Sequence, residues 1–111
     1  MKSIIYANLL IATVLFFTSC KKQESKVLSG SSKDGKMHIA VRGERMTSMD
    51  PFTVFITLTH NGQDLEVTTE VYADKIDESN VKFKWQDERH CLVVFTHRDG
   101  KKNIVPVGVN E

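Results

Sequence analysis

From Lys36 to Val109 the large apolar residues recur at every second position, and this alternation restricts the chain to strands. Met37, Ile39 and Val41 alternate with His38, Ala40 and Arg42. Val54, Ile56 and Leu58 alternate with Thr53, Phe55 and Thr57. Leu65, Val67 and Val71 alternate with Glu66, Thr68 and Glu70, and Val81, Phe83 and Trp85 with Lys82 and Lys84. Successive strand residues point to opposite faces, so each segment has one face for a core and one for water. The β-branched and aromatic bias agrees with strands. No segment repeats at a helical period, and there is no internal repeat.

Turn residues punctuate these runs. Asn61-Gly62 is a strong hairpin signal, because a type I′ turn needs positive φ at both central residues. Asp99-Gly100 makes the same signal between His97 and Lys101. Asp74 to Asn80 and Gln86 to Arg89 read as polar connections, and Arg42 to Pro51 as a longer loop broken by Gly43 and Pro51. Cys91-Leu92-Val93-Val94-Phe95 is apolar at every position, as in a central strand covered on both faces. Asn103 to Val109 follows as an edge strand, since Pro106 cannot donate to a ladder. The expected fold is all-β: a small antiparallel sandwich of about six strands, immunoglobulin-like in architecture but shorter than the about 100 residues of that class. A meander rolled into a small barrel is the alternative.

The first twenty residues follow another logic. Lys2 precedes an apolar run from Ile4 to Phe17, and the small residues Thr18 and Ser19 precede Cys20. A basic start, an apolar middle and a small cleavage site make a secretory signal. As a helix the run would measure roughly 21 Å at about 1.5 Å per residue. That is short of a bilayer core of about 30 Å, which argues against a transmembrane span.

Phe17-Thr18-Ser19-Cys20 resembles the lipobox of bacterial lipoproteins, with Phe17 and Ser19 in place of the commoner Leu and Gly or Ala. The resemblance implies that Cys20 becomes the first residue of the mature chain and carries a diacylglycerol on sulfur and an acyl chain (such as palmitate) on its amine. It also implies an address in the bacterial cell envelope. Lys21 stands where an Asp would favour retention at the inner membrane, which points to the outer membrane. The domain organisation is then a signal peptide over 1–19, a lipidated Cys and flexible linker over 20–35, rich in Ser, Gly and Lys, and a β domain over 36–111.

Charge narrows the partners. The chain carries 15 Lys and Arg against 14 Asp and Glu, and loss of Lys2 with the signal makes the mature protein neutral. A nucleic-acid binder should show a basic excess, so none is expected as a partner. Nor is there a polybasic patch to hold a membrane, which leaves that work to the lipid.

Chemistry is sparse. Cys91 reads as a small buried hydrophobe of a central strand. His38, His60, His90 and His97 form no pair at metal-ligand spacing. Asp74, Asp77, Glu78, Asp87 and Glu88 fall in turns, where such residues cap the backbone, and they lack calcium-loop spacing. No catalytic residue, metal or cofactor is therefore expected. Thr53, Thr57, Thr59, Thr68 and Thr69 give a polar face in which Phe55 is an apolar anchor. The 43–51 loop carries Met46 and Met49, adaptable contact residues on a loop. Phe55, Met46 and Met49 are thus the expected partner-binding residues. The expected function is non-enzymatic: an anchored envelope domain that binds a protein partner, such as a subunit of a secretion or envelope complex. The alternative is a small-ligand-binding or hydrolase-inhibitor module.

Overall fold

The computed structural model describes residues 22–110. The signal segment, Cys20, Lys21 and Glu111 lie outside the described residues. Eight strands are described: β1 Gln23–Glu24, β2 Leu28–Ser31, β3 Met37–Arg45, β4 Phe52–His60, β5 Gln63–Val71, β6 Val81–Trp85, β7 His90–Thr96 and β8 Lys102–Gly108. All pairings are antiparallel. One sheet runs β3-β4-β5, with β1 and β2 both paired to the free side of β3; the other runs β6-β7-β8. The expected small all-β sandwich is what the chain forms.

One core lies between the sheets. Met37, Ile39, Val41, Val54, Ile56 and Val71 meet Val93, Phe95 and Cys91 there, all at most 1% exposed. These are the alternate residues of each strand, so the period read along the chain is the inward face of each sheet. β2 lies across from β6, where Gly30 is so close to Phe83 that a Cβ would sit 3.3 Å from its ring. At the other flank Asn103 Nδ2 donates to Thr69 Oγ1 at 2.7 Å, joining β8 to β5.

The hairpins follow the turn chemistry with one correction. Asn61 and Gly62 both take positive φ, 53° and 74°, as a type I′ turn requires. In the Asp99-Gly100 turn only Gly100 does, at 86°. There Gly100 N donates to His97 O and His97 N to Lys101 O, so the loop is three residues long and closes on a bulge at Gly100.

Of the expected linker over 20–35, the described residues 22–35 are not free as their composition suggests. Gln23 and Glu24 pair with Arg45 and Glu44, and Leu28 to Ser31 pair with Val41 to His38. Leu28 is buried in the core. Two strands of the sandwich therefore precede residue 36. β3 also runs on to Arg45, which shortens the expected 43–51 loop to residues 46–51.

Strand directions sort the turns to two ends. At one end the β2–β3 turn meets the β6–β7 turn, where Arg89 Nη2 and Asp34 Oδ2 pair at 2.9 Å. Ser32 Oγ and Lys36 N also donate to Asp34 Oδ1, at 2.6 and 3.1 Å. Arg89, helped by these donors, holds the Asp34 carboxyl well below the usual carboxylate range. The stability this adds is fully present above the unfolded carboxyl pKa of about 3.9 and is lost as pH falls toward the folded value. Asp34→Asn should therefore lower the melting temperature at neutral pH, and the gap to the parent should narrow below about pH 4. Thermal melts at several pH values check this; a gap that stays constant would mean the carboxylate charge is immaterial.

Candidate functional site

Of the expected contact residues, Phe55 and Met46 line one cleft, and Met49 is not among the residues lining it. Phe55 stands on the outer face of the five-stranded sheet, between Arg42 on β3 and Thr68 on β5. The Arg42 guanidinium lies over its ring, 4.3 Å from the centroid. Arg42 is held by Glu44 at 2.5 Å, and Lys22 reaches the same carboxylate at 3.1 Å. Lys22 first, and then Arg42, keep the Glu44 carboxyl below its ordinary value. Phe55 is thus half-buried under a cation, and its cross-strand neighbours are polar. Thr53, Thr57, Thr59 and Thr68 share its face, but Thr69 turns inward to Asn103.

Met46, which borders the cleft beside Phe55, and Met49 lie on the β3–β4 loop. They are 62% and 90% exposed. The loop has its own scaffold: Asp50 Oδ2 accepts from Thr47 N and Thr47 Oγ1, both at 3.1 Å, and Asp50 N donates to Thr47 O. This bonded turn holds Met49 at its tip.

A third surface was not picked out as a site in the sequence. In β7, Cys91, Val93 and Phe95 face the core, so Leu92 and Val94 face outward. In register beside them are Pro106 and Ile104 on β8, and Lys84 and Lys82 on β6. The outer face of the small sheet therefore has an apolar centre of Leu92, Ile104 and Pro106 over Val94, itself only 4% exposed, bordered by Lys82, Lys84 and Lys102. Ile104 is 54% exposed. The signal lay in the unbroken run Cys91 to Phe95. A strand apolar on both faces needs two covers, and a two-layer sandwich supplies one.

Cys91 is buried, and His38, His90 and His97 each have a local hydrogen-bond partner. Cys91 is 1% exposed, and burial pushes its thiol up to about 11, the opposite of what a nucleophile needs. His90 Nδ1 lies 2.9 Å from Asp87 Oδ1, and that carboxylate raises the imidazole above its ordinary value. His97 Nδ1 accepts the Tyr72 N–H at 3.0 Å, which puts the proton of the neutral ring on Nε2. His38 Nδ1 is 2.8 Å from Ser31 Oγ. Among the described residues no three His, Cys, Asp or Glu side chains gather where a metal could bind.

Clefts flank the end of the sandwich where β3 meets β4, one of them lined by Gln23, Arg45, Phe52 and Asp74. Another, of about 490 Å³, is lined by Tyr72, His97, Arg98, Asp99 and Lys101. A third, of about 360 Å³, runs from Lys22 past Arg45 and Met46 to Phe55. No family model, curated protein or solved structure matches the chain, so its role is argued from these surfaces.

Proposed function

We propose that the chain is a lipoprotein of the bacterial envelope, held in the outer membrane through acyl chains on Cys20, and that its sandwich binds an envelope protein without catalysing a reaction. The observation that carries the binding half is the outer face of the small sheet. Apolar side chains there are grouped outside the core and ringed by lysines. An apolar centre with a charged rim is the usual anatomy of a protein interface. The lysines select a partner with acidic residues around an apolar patch, as in a subunit of a secretion or envelope complex. Phe55 fits this role less well, because Arg42 already covers its ring.

Photo-crosslinkers at Ile104 and at Phe55 in living cells test the reading. Ile104 should capture one envelope protein in stoichiometric yield, and Phe55 should capture little. Ile104→Asp should weaken that capture about 30-fold or more, the effect of losing a contact worth about 2 kcal/mol at an interface centre. Background capture from both positions would end the proposal.

A further inference from the structure

We propose that the sandwich stands end-on against the membrane, with the Met46 to Pro51 loop and Tyr72 in the lipid interface; this deepens the reading of Cys20 as an anchor and rests on it. The first argument is covalent. β1 is bonded to β3 from Gln23 onward, and Arg45 Nε donates to Gln23 Oε1 at 2.9 Å. Lys22 is tied to Glu44. Only two peptide steps join Lys22 to the lipidated residue, a reach of about 7 Å at roughly 3.5 Å per residue. A free linker of fifteen residues would average about 20 Å and let the domain tumble above the bilayer. Pairing of β1 with β3 removes that freedom.

The second argument is which end of the sandwich the chain enters. Gln23 opposes Arg45, the last residue of β3, and Met46 follows directly. Val71 ends β5 at the same level, opposite Phe52 at the start of β4, so Tyr72 belongs to this end too. The β7–β8 loop joins it, since Arg98 N donates to Tyr72 O. Met46, Met49 and Tyr72 are 62%, 90% and 56% exposed. The turns at the far end are Ser32-Lys33-Asp34-Gly35, Asn61-Gly62 and Gln86-Asp87-Glu88-Arg89, with no large apolar residue among them. Three exposed apolar side chains thus stand at the end the anchor enters, beside the charged β7–β8 loop, and the far turns carry none, the exposed Leu65 lying on β5 three residues past Gly62.

The third argument is the shape of the loop. The Thr47–Asp50 bonds keep the methionines outward before any membrane arrives, so little ordering is needed on contact. Tyr72 suits the headgroup level, where an apolar ring and a polar hydroxyl are both satisfied. Nine-residue strands at about 3.3 Å per residue would then carry the far turns about 30 Å into the aqueous compartment. The Ile104 face would stand roughly upright on the bilayer.

The test uses the full mature protein, extracted from membranes with its lipid. Mass spectrometry of the N-terminal peptide first reports whether Cys20 is acylated. Single cysteines at Met49→Cys and, with both methionines kept, Ser48→Cys mark the loop; Lys33→Cys and Glu88→Cys mark the far end. Each carries an environment-sensitive fluorophore, and buried Cys91 does not compete. In vesicles of phosphatidylethanolamine and phosphatidylglycerol with a lipid-borne quencher, loop probes should lose about half their emission or more, as side chains about 5–10 Å deep would. Far-end probes should lose less than about a tenth of theirs. Acylated protein with equal quenching at both ends, or none, overturns the end-on placement alone. An unmodified Cys20 overturns the anchor reading and the placement with it.

Discussion

Phe95→Ala is expected to remove most of the stability of the domain. Phe95 is the largest of the fully buried side chains, with no exposed surface. Its strand is the middle one of the small sheet, paired to Val81 and Asn103, and its ring faces the five-stranded sheet. Truncation removes the apolar contact and leaves a cavity between the two sheets. Such changes cost about 3–5 kcal/mol. A domain this small lies toward the lower part of the usual range of about 5–15 kcal/mol, so most of its stability goes. The melting temperature should fall by tens of degrees at about 4–8 °C per kcal/mol. Ile104→Asp, on the neighbouring strand but on the outer face, should change the melt by no more than about 0.5 kcal/mol. Urea titration followed by circular dichroism separates the two. A Phe95→Ala variant within about 1 kcal/mol of the parent would mean that the sheets do not share one core.

The inward face of β3 to β6 could be read from the chain because a core leaves a period of two, and β7 announced itself as an unbroken apolar run. The same pattern hid β1 and β2. Ser29, Gly30 and Ser31 have weak strand preference, and Leu28 alone gives the segment a core residue. They pair because β3 offered an open ladder and because Gly30 is small enough to lie against Phe83. Strand identity there comes from the neighbour and not from the residues themselves. The Asp99-Gly100 loop shows the same limit: the dipeptide announced a turn, and its length was decided by the pairing of Thr96 with Lys102.

The candidate surfaces divide in a similar way. Exposure of Met46 and Met49 follows from their place between two strand ends, which local sequence shows. The cover over Phe55 does not, because Arg42 is thirteen positions away and meets it only through the β3–β4 register. The outer face of the small sheet was half legible. Leu92 and Val94 announced a second apolar face, but that it is left without a second sheet follows from the count of strands in each layer. Cys91 shows why a reactive residue type is a weak signal. Its neighbours in the strand are apolar, and burial has turned the thiol into packing.

The second large effect concerns the anchor. A variant exported through an ordinary cleavable signal and beginning at Lys21 is expected to move almost wholly from the membrane to the soluble envelope fraction. Each buried CH₂ contributes about 0.8 kcal/mol, so several acyl chains hold a protein in a bilayer for far longer than one would. Nothing else on the described chain approaches this. From Lys21 onward basic and acidic side chains are equal in number, with no basic excess to bind anionic lipid. Met46, Met49 and Tyr72 make a contact that orients a tethered domain but is too small to retain a free one. The fold should survive, because pairing with β3 begins at Gln23 and the core residue nearest the N-terminus is Leu28. The variant should therefore melt within about 0.5 kcal/mol of the parent while its distribution reverses. Capture through Ile104 should fall as well, since release from the membrane lowers the local concentration of a membrane partner. Fractionation with an alkaline wash decides the first point. Retention of the shortened form would place the attachment in the sandwich itself, with the Met46–Tyr72 end as the surface to mutate next.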